Sequence, residues 1–312
     1  MKKLLCVIIA LSALVLSSCT PKATRFDSKS IDNGYNNYRA GGKMAYLNNN
    51  LYISYIYDGY ITLGTYKFNN DGVTNILSDK NKLGEYAFLT PNFYQYDGKL
   101  YVTSMDDGIY IYDEATDNLN LCYEDEYIPN YFTDDLKVNW DGTLRIKYRD
   151  NPEYTIDEAF PYYVSDNKVY YMNEGGSLYV YDGEKSAEPE FVSYLTDSNS
   201  NYLHICGDKV YFDHNKEDHA RYESGLYCYS LKDDEFKLVL EFEDEINCLN
   251  SYNDKLYIAT DIGIFTLDGK ITDRSAKSIY LLDEDWIYAV ENEKGNVYRV
   301  SLDGKTVEKI GF

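Results

Sequence analysis

Asp97-Gly98-Lys99-Leu100-Tyr101-Val102 and, a few residues on, Gly108-Ile109-Tyr110-Ile111-Tyr112-Asp113 are the stretch whose reading decides the fold. Each half is a short run rich in Tyr, Ile, Leu and Val, the pattern of a strand packed into a sheet. The Asp-Gly pair ahead of the first half marks a tight hairpin, because both turn residues tolerate left-handed backbone angles. The Gly at the head of the second half starts a further strand.

Both phrases recur. The first returns as Asn49-Asn50-Leu51-Tyr52-Ile53, Asp166-Asn167-Lys168-Val169-Tyr170-Tyr171 and Gly207-Asp208-Lys209-Val210-Tyr211-Phe212. It returns again as Asn253-Asp254-Lys255-Leu256-Tyr257-Ile258 and Glu284-Asp285-Trp286-Ile287-Tyr288-Ala289, with a degenerate copy at Asp141-Gly142-Thr143-Leu144-Arg145-Ile146. The second returns as Ser177-Leu178-Tyr179-Val180-Tyr181-Asp182, Gly225-Leu226-Tyr227-Cys228-Tyr229, Gly263-Ile264-Phe265-Thr266-Leu267-Asp268 and Gly295-Asn296-Val297-Tyr298-Arg299-Val300. An inner strand enters, turns and leaves as the first phrase. The second phrase is a third strand, and a fourth closes the unit, as in Val307-Glu308-Lys309-Ile310.

Four antiparallel strands per repeating unit predict an all-β protein, a β-propeller. Units starting near residues 43, 86, 131, 160, 202, 246 and 278 predict seven blades, with six as the alternative if the weak third unit around Trp140 to Ile156 is an insertion. An inner strand near Lys43 and an outer strand near Phe312 predict a ring that closes without strand exchange. Composition agrees: 36 of 312 residues are Tyr, a strand former, and frequent Asn, Asp and Gly supply turns.

The last unit, WIYAVENEKGNVYRVSLDGKTVEKI over 286–310, resembles the repeat of low-density-lipoprotein-receptor-type propellers. It is similar also to an uncharacterised bacterial domain family built on that repeat and often found in lipoproteins of Gram-positive bacteria. The Ile-Tyr, Gly, Asn-Val-Tyr-Arg and Leu-Asp-Gly spacing carries the likeness. The receptor repeat's Trp-Thr-Asp continuation is absent, and Tyr101-Val102-Thr103-Ser104 and Tyr257-Ile258-Ala259-Thr260 stand in its place. The resemblance implies a binding propeller, with no catalytic residue to carry over.

The chain starts with Met1-Lys2-Lys3, an apolar run from Leu4 to Leu16, and Leu16-Ser17-Ser18-Cys19. The run is shorter than the roughly 20 residues a membrane-spanning helix needs, so it reads as a signal peptide. The Leu-Ser-Ser-Cys ending resembles the bacterial lipobox, which implies cleavage before Cys19 and a diacylglycerol on its thiol. Residues 1–18 are expected to be a lipoprotein signal, 19–42 a lipidated Cys and flexible tether poor in apolar residues, and 43–312 the propeller. The predicted location is the outer face of the cell membrane of a Gram-positive bacterium, with the lipid as the one membrane contact.

A net charge of −22 repels nucleic acid and anionic headgroups and excludes both as partners. The expected partner is a protein, peptide or glycan at the cell surface, bound by a monomer. Cys122, Cys206, Cys228 and Cys248 lack CxxC spacing and sit in strand patterns, which predicts small buried thiols, with one or two disulfides as the alternative.

A propeller opens its longer loops, between second and third strands and between blades, on one face. The hairpin turns lie on the other. Function in repeat scaffolds usually sits on the loops. Among loop residues, Asp213, His214 and His219 carry ligand types suited to zinc, but their spacing fixes no geometry, and no metal is predicted there. Acidic clusters at 124–126, 134–135 and 241–245 leave a loosely bound calcium as the one cofactor considered. Tyr60, Tyr127, Tyr131, Tyr202 and Tyr222 fall near the loop face and are the candidate ligand contacts, since exposed Tyr offers area and a hydroxyl at small entropy cost. No Gly-x-Ser-x-Gly elbow, phosphate loop or HExxH appears. The sequence therefore favours a non-enzymatic binding or scaffold module, with a surface carbohydrate-active hydrolase or lyase as the alternative.

Overall fold

A computed structural model describes residues 25–310 apart from 32, 56–63, 77–91, 105–107, 117, 124–130, 197–199, 201, 215–224, 242–245 and 292–295. It contains seven four-stranded antiparallel sheets, each using its strands in chain order. The blades span 44–76, 92–123, 131–157, 162–194, 203–241, 246–272 and 278–310. This is a seven-bladed β-propeller, and no strand is exchanged between the last blade and the first. The six-bladed alternative falls.

The inner hairpins form where the turn signals stand. Asn48 and Asn49, Asp166 and Asn167, and Asn253 and Asp254 all have φ between 50° and 61°. Two consecutive left-handed residues match the twist of the flanking strands. Tyr46 pairs with Leu51, Tyr163 with Tyr170 and Ser251 with Leu256 across these turns.

Blade 3 departs from the sequence reading. Asp141-Gly142 joins the second and third strands, Leu136–Trp140 and Thr143–Tyr148, so it lies on the loop face. The inner strand is only Tyr131–Phe132. Its hairpin turn is held by Thr133 Oγ1, which accepts from the Asp135 and Leu136 amides at 3.3 and 3.0 Å. A hydroxyl-based turn carries no Asx-Gly signature, so in this blade the Asp-Gly phrase stands one hairpin later than in the others.

Neighbouring blades bury apolar side chains against one another. Leu144, Ile146, Val169 and Tyr181 join blades 3 and 4, and Leu226, Cys228, Leu256 and Ile258 join blades 5 and 6. All four described cysteines are free thiols. Cys206, Cys228 and Cys248 are buried as expected, but Cys122 is exposed because its outer strand has one face open to solvent.

The ring is closed by the segment ahead of blade 1. Residues 25–42 were expected to be part of a flexible tether. They fold instead, and the physical reason is a set of buried apolar and amide groups that composition alone undervalues. Phe26, Ile31 and Ala40 are buried in the cluster shared by blades 6, 7 and 1. Ile31 N donates to Leu282 O at 3.0 Å and Glu284 N to Lys29 O at 3.1 Å, a short ladder on the inner hairpin turn of blade 7. A helix, α1 (Gly34–Arg39), then runs through the central channel. Gly42 O accepts from Phe93 N where the segment leaves.

Candidate binding site in the plugged channel

The inner strands begin at the loop face and end at the turn face, so contacts to them fix the direction of the threading segment. Ile31 and Asn33 lie near the strand ends, beside Gln95, Asn250 and Leu282. Arg39 and Lys43 lie near the strand starts, beside Tyr162 and Asn92. The chain therefore enters at the turn face and leaves at the loop face.

Gly34 is required by close approach: a Cβ there would sit 1.7 Å from the carbonyl oxygen of Gln95. Asn37 is buried and triply bonded. Its Nδ2 donates to Leu281 O at 2.7 Å, and its Oδ1 accepts from Leu281 N at 2.9 Å and Asn250 Nδ2 at 3.1 Å. It thus mimics a strand for blade 7 inside the channel. Tyr35 packs edge-on against Tyr131 and Tyr163, with ring centres 4.8 and 5.3 Å away, and its hydroxyl accepts from Val164 N at 3.1 Å.

Two mouths remain. The turn-face mouth is a cavity of about 320 Å³ whose walls include Asn33, Gln95, Tyr94, Tyr96 and Tyr131. Gln95 is buried, and its Oε1 has no partner among the described residues. Asp166 is the single carboxylate among the described residues of this wall. The other polar side chains of this wall are hydroxyls and amides.

The loop-face mouth is a cavity of about 80 Å³ bounded by Arg39, Lys277, His204, Tyr202 and a wall of Leu203, Cys248 and Leu249. The Arg39 guanidinium donates to Tyr162 O and lies 5.5 and 5.6 Å from the ring centres of Tyr162 and Tyr163. His204 Nε2 shares a 2.8 Å hydrogen bond with Ser251 Oγ. Burial, assisted by the Arg39 charge, drops the His204 pKa to about 3, so the ring is neutral. Burial likewise pushes the Cys248 thiol up to about 11. Lys43, at the same end of the channel, is lowered to about 8 by burial and donates to Asn92 Oδ1 at 2.6 Å.

The predicted residues divide between these places. Tyr131 lines the turn-face mouth and Tyr202 the loop-face mouth. The structure does not bring them together. Tyr202 is held in place, its hydroxyl donating to Asn247 O at 2.9 Å. Asp213 and His214 are not loop residues: they end the buried strand Lys209–His214. Asp213 accepts from Ser200 Oγ and Tyr202 N, both at 2.7 Å, and His214 Nδ1 is 2.7 Å from Thr196 Oγ1. No cluster of three metal-ligating side chains occurs among the described residues. Asp135, from the acidic clusters, is paired with Arg149 through bonds of 2.9 and 3.1 Å. Cys19, Tyr60, Tyr127, His219 and Tyr222, and the acidic runs 124–126 and 242–245, lie outside the described residues.

Sequence reasoning missed Arg39, Tyr35 and Gln95. The available signal was Tyr35-Asn36-Asn37-Tyr38-Arg39, whose two aromatic residues three apart suit a helix face better than a linker.

No family model and no curated protein matches this chain. Solved structures match in fold. The chain is similar to YCF48 bound to a D1 peptide, with 8% identity, 91% of this chain and 100% of the other covered, and a TM-score of 0.54. It is similar to the computationally designed Ika8 protein, with 9% identity, 85% and 84% coverage, and a TM-score of 0.52. PorZ, an essential surface component of the type-IX secretion system of Porphyromonas gingivalis, matches with 15% identity and a TM-score of 0.45. That match covers 86% of this chain but spans only 39% of PorZ. With the seven four-stranded sheets, the first two likenesses define the class, a β-propeller. Among the described residues no helix is long and apolar enough to cross a membrane.

Proposed function

We propose that this protein is an extracytoplasmic binding or scaffold propeller, anchored through a lipid on Cys19, that presents its loop face to a protein, peptide or cell-wall glycan. The observation that carries the reading is the direction of the threading segment. Phe26 N bonds Asn70 Oδ1 at 2.9 Å in an outer hairpin turn, and Ser30 pairs with Asp283, so the chain reaches the ring from the turn face. Arg25 is the sixth residue after Cys19, and a chain of that length reaches about 20 Å at most. A lipid on Cys19 thus holds the turn face toward the bilayer and the loop face outward. The repeat's likeness to that of Gram-positive lipoprotein domains agrees with this address. A two-chain lipid satisfies the requirement for stable anchoring.

The Cys19→Ser variant tests the anchor: it is expected in the culture medium, and retention in the membrane fraction would exclude the lipid. The form starting at Thr20, which keeps the channel segment, tests the binding role by capture from surface extracts and glycan arrays. Absence of any specific partner, together with turnover of a polysaccharide, would replace this reading with a carbohydrate-active enzyme.

A further inference from the structure

Within a protein of net charge −22, the middle of the ring holds a cation whose neighbours among the described residues are neutral. The groups packed around Arg39 are a backbone carbonyl and the rings of Tyr35, Tyr162 and Tyr163, with His204 close enough to feel its charge. Burial raises the pKa of each of these three tyrosines, and the Arg39 charge only partly opposes it, so their hydroxyls stay protonated. Among the described residues neither Arg39 nor Lys277 makes an ion pair, whereas Arg149, Arg274 and Arg299 each hold a carboxylate. A guanidinium half withdrawn from water and, among the described residues, without a counter-charge is costly. Arg39 and Lys277 bound the same cavity, which has room for several waters.

We propose that the loop-face mouth of the channel binds a small carboxylate, with Arg39 as the anchoring cation and Lys277 at the rim. This deepens the binding role proposed above and rests on it. The planar fork of Arg matches a carboxylate through two parallel bonds. Leu203 and Leu249 give the cavity an apolar side. A short hydrocarbon tail is at home there, and phosphate has none to offer. Neutral His204 adds no competing charge and keeps its bond to Ser251.

The test uses the full-length chain in detergent, with acetate, propionate and butyrate as probes against inorganic phosphate and chloride at matched ionic strength. Titration calorimetry and the thermal midpoint are read together. The carboxylates are expected to bind saturably, at one site, with affinity rising along the series. Lys277→Ala is expected to weaken binding up to about fivefold and to leave the ligand-free midpoint unchanged. Arg39→Lys keeps the charge but loses the fork, and is expected to abolish binding. Should Arg39→Lys fail to fold, Lys277→Ala and the tail-length series decide. Phosphate binding as well as butyrate, or no saturable binding of any carboxylate, overturns the proposal. A surface partner captured by the Thr20 form despite that result leaves the wider binding role standing.

Discussion

The two mouths of the channel are built on the same seven inner strands yet offer opposite chemistry. The turn-face mouth is wide and rich in tyrosine and amide, with Asp166 as its one described charge. The loop-face mouth is narrow and carries two cations beside a neutral histidine. The difference comes from the threading segment. Tyr35 and Asn36 reach one end and Arg39 the other, so a single turn of helix decides what each opening presents. A propeller whose channel is filled by its own chain can thus tune both openings without altering a blade.

That comparison fails if the segment does not hold its place, and Asn37 is where it is most exposed to test. Asn37→Ala strands Leu281 N and Leu281 O in a buried setting and takes one of the two acceptors of Asn250 Nδ2, which keeps its bond to Ile279 O. The expected loss is about 3 kcal/mol, since each unpaired buried group costs about 1–3 kcal/mol. Urea unfolding measures it; a loss under about 1 kcal/mol would mean that the segment is not anchored to blade 7.

Gly34→Ala is next. The new methyl would overlap the Gln95 carbonyl unless the helix withdraws from blade 2. Overpacking of this kind costs about 1–3 kcal/mol. The shift should also open the turn-face mouth, so hydrogen exchange at Gln95 and Tyr96 is expected to rise. Unchanged exchange there, with stability lost, would place the strain elsewhere.

The loop-face mouth is sharpened by acid. His204 has a folded pKa of about 3 against an ordinary value near 6.5. Between those values the unfolded chain takes up a proton that the folded chain refuses. Its contribution is complete above pH 6.5 and falls by about 1.4 kcal/mol per pH unit below it. His204→Gln keeps a donor for Ser251 and removes the titration. Its unfolding free energy is expected to fall less steeply from pH 6.5 to 4 than that of the parent, and equal slopes would show that the ring is not buried beside Arg39.

The blades were legible because each strand and turn is specified by its own few residues. Leu100, Tyr101 and Val102 read as a strand whatever stands across the ring, and Asp166-Asn167 reads as a turn from its backbone preference alone. Blade 3 slipped because Thr133 does by hydroxyl what Asx-Gly does elsewhere. The channel segment was opaque for a different reason. Asn37 earns its place through contacts 213 and 244 residues away, and nothing local distinguishes it from a linker asparagine. Arg39 likewise becomes a candidate only once Tyr162 and the cavity are beside it.

The smallest effect asks whether the two mouths act separately. Tyr131→Leu removes edge-on ring contacts with Tyr35 at 4.8 Å and Tyr94 at 6.2 Å. Such pairs add about 0.5–1.5 kcal/mol each, and leucine recovers part of the buried area, so the expected loss is about 1 kcal/mol. Lys277→Ala, exposed at the other end, is expected to change stability by less than about 0.5 kcal/mol. If α1 transmits nothing between its ends, the double variant adds to within about 0.5 kcal/mol. A larger coupling would mean that the helix shifts as one body when Tyr35 loses its neighbour. Occupation of the turn-face mouth would then reset Arg39, and the two openings would report on each other through a single helical turn.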